Sequence, residues 1–494
     1  MIEPDRLRGI RRGVEKESLR VLPENGALAL TPHPTELGAA LTHPHITTDF
    51  SESQLELITS PQPSAAGVVE ELVHIHQYVD RHIGDEILWC GSMPCNLPAD
   101  DQIPLGRYGT SNVGRAKTVY RMGLSYRYGR RMQAISGIHY NFSLPGVSSA
   151  QYFGLIRNFR RRSWLLLYLF GASPAVCASF AQGRKHELAE LAPGTLYAPH
   201  ATSLRMGRLG YQSDAQASLS VSYNSLESYT ASLYDALIHP YAPYEEIGVF
   251  KDNEYRQLAT SLLQIENEFY GTIRPKQRIR RGERPLHALR ERGVEYVEVR
   301  LMDLDPFLAV GIGEPTMRFL DCFLLSCLLD ESPPDTPAEI AAVGRNQQLV
   351  ATQGRKPGLV LDNRISLKDW GKDLISKCQA IAATIDRDHE EACAHALRML
   401  EHPEELPSAR VLAAMAREHG NSYTRFVLAL SRAHAAELRA RPLPPKVDLR
   451  FRHLAAESLA EQSRIEAADK VDFETFRQRY LAPELLRTDQ QAAR

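Results

Sequence analysis

The chain has 494 residues, 43% hydrophobic and 24% charged, the proportions of an ordinary globular protein able to bury a large core. A formal net charge of −2 offers no bulk attraction to nucleic acid or to an anionic membrane, so an anionic ligand must be met by local clusters. The seven cysteines form no CxxC pair and no zinc spacing, and the first residues lack the apolar stretch of a secretory signal, which together fit a reducing cytoplasm.

Strand alternation splits each segment into two faces. In GVEKESLRV (13–21), Glu15 and Glu17 share a face with Leu19 and Val21, and Lys16 falls on the other. In ITTDFSESQLELIT (46–59), Asp49 and Glu52 have the spacing of a helix capping box. Leu55 and Leu57 are two apart, however, β-branched residues flank them, and Pro61 follows, so the segment reads as a turn feeding a short strand. Gln54 and Glu56 then share the second face, Asp49 sits on the turn, and Glu52 is structural. In ISGIHYNFSLP (135–145), Ile138, Tyr140 and Phe142 oppose His139 and Asn141.

WLLLYLFGASPAVCASF (164–180) is the best membrane-span candidate, but it is short and interrupted by Gly171, Ser173 and Pro174; it reads as a buried helix that breaks near the glycine. In EYVEVRLMD (295–303), Val297 and Val299 oppose Tyr296, Glu298 and Arg300. Cys322 and Cys327 lie in the apolar run FLDCFLLSCLLD as small core residues. ESPPDTP (331–337) is a break, after which Ala, Glu, Leu and Arg recur at helical spacing, and RPLPPK (441–446) separates the last helices. We expect an α+β catalytic body over 1–330 and a mainly helical part over 331–494, packed on the body because its apolar stripes need cover.

Four strand segments thus each oppose an apolar face to acid, imidazole or guanidinium groups. A solvated second face is the plain alternative, but these faces lack lysine, the usual solvating residue. If they line one cavity, carboxylates about 4 Å apart repel by roughly 4 kcal/mol at an effective dielectric of 20. Divalent cations with hard oxygen ligands relieve this, and a single histidine among carboxylates suits Mg²⁺ or Mn²⁺ better than a thiolate zinc site. No P-loop exists: GTSNVGR (109–115) ends in Arg without the required Lys-Ser/Thr, GIGEPT (311–316) fails the dinucleotide pattern, and HExxH is absent.

GIRRGVEKESLRV, ALTHPHITTDFSESQLELIT, YGTSNVGRAKTVYRMGL, ISGIHYNFSLP, LFGASPAVCASF, ATSLRMGRLGY, LQIENEFYGTIRPK and GVEYVEVRLMDLDPF occur in this order, and together they resemble the proteobacterial type of glutamate–cysteine ligase. The resemblance implies a glutamine-synthetase-like α+β fold, with a curved antiparallel sheet forming a substrate funnel. It also implies ATP-dependent joining of L-glutamate, through γ-glutamyl phosphate, to the amine of L-cysteine, the first step of glutathione synthesis. The metal ligands it implies are Glu15, Glu17, Asp49, Glu56, His139 and Glu298. Arg205, Tyr211 and Tyr270 match the residues that hold the cysteine carboxylate, and Phe50, Tyr120 and Leu124 match the pocket for its side chain. Arg300 would meet glutamate or the transferred phosphoryl group, with Arg115, Lys117, Arg274 and Lys276 as further phosphate partners. ATP is then a co-substrate, Mg²⁺ or Mn²⁺ the cofactor, and the expected state a cytoplasmic monomer with neither nucleic-acid nor membrane partners. Two rivals share these features: a related ligase for another amine, and a metal-dependent phosphohydrolase.

Overall fold

The computed structural model describes residues 4–210, 219, 221–280 and 282–486. Its centre is a 7-stranded antiparallel sheet formed by β1 (Arg11–Val21), β2 (Ile46–Thr48), β3 (Gln54–Ile58), β4 (Ile87–Leu88), β5 (Ile138–Ser143), β6 (Ile273–Lys276) and β7 (Tyr296–Met302). The spatial order is β6–β7–β5–β1–β3–β2, with β4 also paired to β1.

The period-two pattern produces this sheet. Val14 faces Tyr140, Tyr140 faces Val299, and Val299 faces Ile273 across successive strands, so one apolar face runs through four strands. These side chains are fully buried, and each contributes roughly 1.5–3 kcal/mol by leaving water. Helix α1 (Ala65–His82) supplies part of the cover; α2 (Asn112–Tyr128) borders the opposite side, and α3 (Ser149–Arg162) adds Phe153 and Phe159 to the core. Two ionisable groups on the apolar face, Lys16 and Arg12, are met by the covering helices. Lys16 Nζ donates to His76 Nε2 at 2.9 Å, and the Arg12 guanidinium meets Asp321 at 2.8 Å. Asp321 also accepts from the Tyr140 hydroxyl at 2.7 Å.

Among the described residues no helix is long and apolar enough to cross a membrane, and the apolar run at 164–180 is no exception. It forms the buried helix α4 (Trp164–Phe170), which stops at Gly171. A Cβ there would lie 2.5 Å from the Leu167 carbonyl oxygen and 2.7 Å from that of Thr202, so the close approach requires glycine.

The helices after β7 include α5 (Glu314–Leu329), which carries Asp321, α6 (Pro337–Gln353), α7 (Arg387–Glu401), α8 (Pro445–Ala468) and α9 (Phe473–Leu481). The last two reach back to the sheet side of the molecule. Glu466 Oε1 accepts from the Thr110 N–H at 2.8 Å, Asp469 accepts from the Asn112 N–H, and Arg284 donates to the Tyr480 carbonyl at 2.8 Å.

Candidate active site

The second face of the sheet is not solvated. Register places Glu15 directly opposite His139, Glu17 opposite Glu56, and Glu298 opposite both Asn141 and Arg274. All of these except Asn141 line one cavity of about 360 Å³. A β-bulge in β7 sets Arg300 and Leu301 against the single residue His139, and Arg300 lines the same cavity.

The turn between β2 and β3 brings in Asp49 and Phe50. Asp49 N–H donates to the Gln54 carbonyl at 3.0 Å, and its own carbonyl accepts from Tyr108 at 3.1 Å and from Arg121. Glu52 caps no helix. Its carboxylate accepts from the His33 N–H at 3.0 Å and the Arg107 N–H at 2.7 Å, which pins the turn.

The cavity divides electrostatically. On one side, burial would raise the Glu298 carboxyl, but Lys276 (3.3 Å), Arg300 (3.2 Å), His139 and Arg274 hold it well below the usual range. Glu15 is likewise lowered, against burial and the Glu298 charge, by His139 at 3.2 Å and by Lys276, while Asn141 donates to it at 2.9 Å. On the other side, burial and then Asp49 push Glu17 up to about 8 despite Arg205, Arg300 and the Gly137 N–H. Glu56 is raised well above its ordinary value by burial and by Glu15, Asp49 and Glu17. Like charges directly opposite on one sheet face are destabilising, and on this half Arg205 and Arg300 do not offset burial and the neighbouring acids.

The donor set fits a divalent ion. Glu15, His139 and Glu298 each offer a ligand atom, all within 4.8 Å of one another. Glu298 Oε2 is buried with no hydrogen-bond partner among the described residues, as an oxygen kept for a cation would be. Carboxylates with one imidazole suit Mg²⁺ or Mn²⁺.

Phe50, Tyr120, Leu124 and Tyr270 line the same cavity, with the Tyr270 hydroxyl accepting from Gln133 at 2.8 Å. Lys117, Arg274 and Lys276 also line it; burial and Arg121 bring the Lys117 ammonium down to about 8. Two expected residues stand apart. Arg115 lies over the Phe473 ring at 4.4 Å, because its helical position on α2 turns it toward α9. Arg205 is 2% exposed behind the cavity wall and donates to the Arg300 carbonyl at 3.1 Å. Tyr211 lies outside the described residues.

A family profile described as glutamate-cysteine ligase matches residues 2–350. The chain belongs to the glutamate–cysteine ligase family. A glutamate–cysteine ligase of Pseudomonas entomophila is 49% identical over 96% of this chain and 94% of its own length. That of Alcanivorax borkumensis is 46% identical over 95% of each chain. The crystal structure of a Francisella tularensis glutamate–cysteine ligase in complex with AMP superposes with a TM-score of 0.91 at 38% identity, covering 96% of this chain and 97% of that one. A bifunctional glutathione synthetase of Pasteurella multocida gives 0.69 at 27% identity, over 88% of this chain and 53% of that longer one. The ligase family and the α+β fold implied by the eight sequence segments are therefore borne out.

Sequence reading missed several lining residues. Arg121 and Gln133 are ordinary helical or post-helical polar residues in sequence, and Tyr480 comes from α9, far along the chain. Nothing local marks them. Asn141 was visible as the alternate neighbour of His139, and its role as a donor to Glu15 follows from register.

Proposed function

We infer that the chain makes γ-glutamylcysteine in this cavity, ATP phosphorylating the γ-carboxylate of L-glutamate and the amine of L-cysteine then displacing phosphate. The observation that carries this reading is one sheet face with paired acids at one end and Lys276, Arg274 and Arg300 at the other. Oxide is a very poor leaving group, whereas phosphate departs readily from an acyl phosphate. The protein's task is then mainly positioning and charge stabilisation.

Glu15, Glu17, Asp49, Glu56, His139 and Glu298 would hold Mg²⁺ or Mn²⁺. When bound, the ion supplies charge neutralisation for the triphosphate. Arg300, fixed by Glu298 and kept protonated by it, is the group we assign to the transferred phosphoryl or to glutamate. Lys117, Arg274 and Lys276 are assigned to the phosphates; Arg115, stacked on Phe473, is not. The AMP held by the Francisella relative supports a nucleotide here.

Phe50, Tyr120 and Leu124 form a small apolar wall suited to the cysteine side chain, and its carboxylate is assigned to Tyr270 on the cavity and to Arg205 behind the wall, beside the Arg300 carbonyl. Such a wall discriminates weakly against side chains of similar size, by roughly 1–3 kcal/mol per methylene. The same reading divides the chain into a catalytic body over 1–330 and a helical part over 331–494, acting as a monomer.

The acyl-phosphate route is tested with L-glutamate carrying ¹⁸O in its γ-carboxylate. One labelled oxygen should leave in the inorganic phosphate for each γ-glutamylcysteine formed. Unlabelled phosphate would rule the route out.

A further inference from the structure

A second cavity lies apart from the one lined by the acidic sheet face. It measures about 1190 Å³, lies between the 185–209 segment and α6, and shares no lining residue with the catalytic one. Leu204 and Leu361, both buried, and Leu349 give it an apolar floor. Lys185, Arg208 and Lys356 stand exposed around it, and none has an ion-pair partner among the described residues. Of its two lining carboxylates, Asp362 is engaged by Arg345 through two 2.8 Å bonds. Among the described residues, Glu187 is the one lining carboxylate left to face these three cations.

An apolar floor with a cationic rim recognises a small molecule that joins an anionic group to an apolar part. The floor is also the back of the turn that carries Arg205. Leu204–Met206 is one short helical turn, and Leu204 looks into this cavity while the Arg205 guanidinium lies against Gly137. Helix α6 grips that turn: Gln348 donates to the Met206 carbonyl at 3.2 Å, Thr202 Oγ1 to the Val350 carbonyl at 2.9 Å, and the Ser203 N–H to the Ala351 carbonyl at 3.1 Å. An occupant wedged between α6 and the turn would press on both.

We propose that this cleft is a second binding site, for a small amphipathic anion, and that its occupant acts on cysteine binding through the Arg205 turn. The second half rests on the role assigned to Arg205; the first does not.

The probe is anilinonaphthalene sulfonate, an aromatic anion, titrated by fluorescence into the full chain with saturating ATP and glutamate present. One dye should bind per chain under these conditions. Arg208→Glu combined with Lys356→Glu should weaken it by about tenfold or more, with ADP formation in the absence of dye unchanged. Gly344→Phe is an independent block: an added Cβ there meets nothing within 4 Å, so the ring can enter the cleft without disturbing the fold. It should weaken the dye comparably. Saturating dye should also change the cysteine KM by about twofold or more in the wild type and not in Gly344→Phe. Equal dye affinity in Gly344→Phe, or no dye binding while ATP and glutamate are saturating, overturns the site. Dye binding with an unmoved cysteine KM overturns the link to Arg205.

Discussion

Arg205 and Gly137 depend on each other. A Cβ on Gly137 would lie 2.0 Å from Arg205 Nη2, so any side chain there must displace a guanidinium that is already buried. A hydrogen bond to a charged group contributes roughly 1.5–3 kcal/mol, so Arg205→Ala should raise the cysteine KM roughly 10- to 150-fold. The glutamate KM should move far less. Gly137→Ala should copy this in milder form by shifting the guanidinium, although it removes no functional group. Steady-state kinetics with each substrate varied would check both, and an unchanged cysteine KM in Arg205→Ala removes that residue from the role.

At the scale of elements, strand alternation carried most of the information. Glu56, His139 and Glu298 were separable from their apolar neighbours by parity alone, because a strand has only two sides, whereas Glu15 and Glu17 share their side with Leu19 and Val21. The capping box at Asp49 and Glu52 yields to a hairpin turn for the same reason: Leu55 and Leu57 need one face. β6 was not legible, since Pro275 argues against a strand; the structure accommodates it on the sheet edge, where a missing N–H is tolerated. Nor could one sequence show the bulge opposite His139 or the pairing partners, which are set by long-range contacts.

Helix docking behind the sheet has its own pH signature. His389, near the start of α7, has Asp386 Oδ1 at 2.7 Å and Asp321 Oδ2 at 3.5 Å. Burial opposes its charge, yet the two carboxylates raise its pKa above the ordinary 6.5. A group raised in the folded state contributes stability that is fully present below the unfolded value and is lost as pH rises through the folded one. Urea unfolding should therefore show a contribution intact at pH 6 that fades above neutrality, and His389→Gln should flatten that portion of the pH profile. A wild-type profile in His389→Gln would show that the pair does not couple to folding.

For the whole molecule, the C-terminal helices help to wall the acidic cavity rather than merely covering the sheet. Tyr480 of α9 lines the substrate cavity, and Arg284 joins its carbonyl to Glu266 through a buried ion pair of 2.6 Å. Removing one partner of such a pair costs roughly 3–5 kcal/mol. Arg284→Ala should thus lower the melting temperature and also raise the ATP KM, because both Glu266 and Tyr480 line the cavity. A fall in melting temperature with an unaltered ATP KM would confine Arg284 to stability. The helical texture of this part was legible from its spacing. Its return to the cavity was not, since α9 lies more than a hundred residues beyond the last strand.

We assign the acidic face of the sheet to the metal–ATP complex of a glutamate- and cysteine-dependent ligation. The most direct measurement is ADP formation across a Mg²⁺ titration, in wild type and in Glu298→Gln, with each amino acid omitted in turn. Wild-type product formation should require Mg²⁺, glutamate and cysteine together, and Glu298→Gln should lose about a hundredfold or more of it at every Mg²⁺ concentration. Wild-type turnover in Glu298→Gln, or rapid phosphate release from ATP without glutamate, would contradict it.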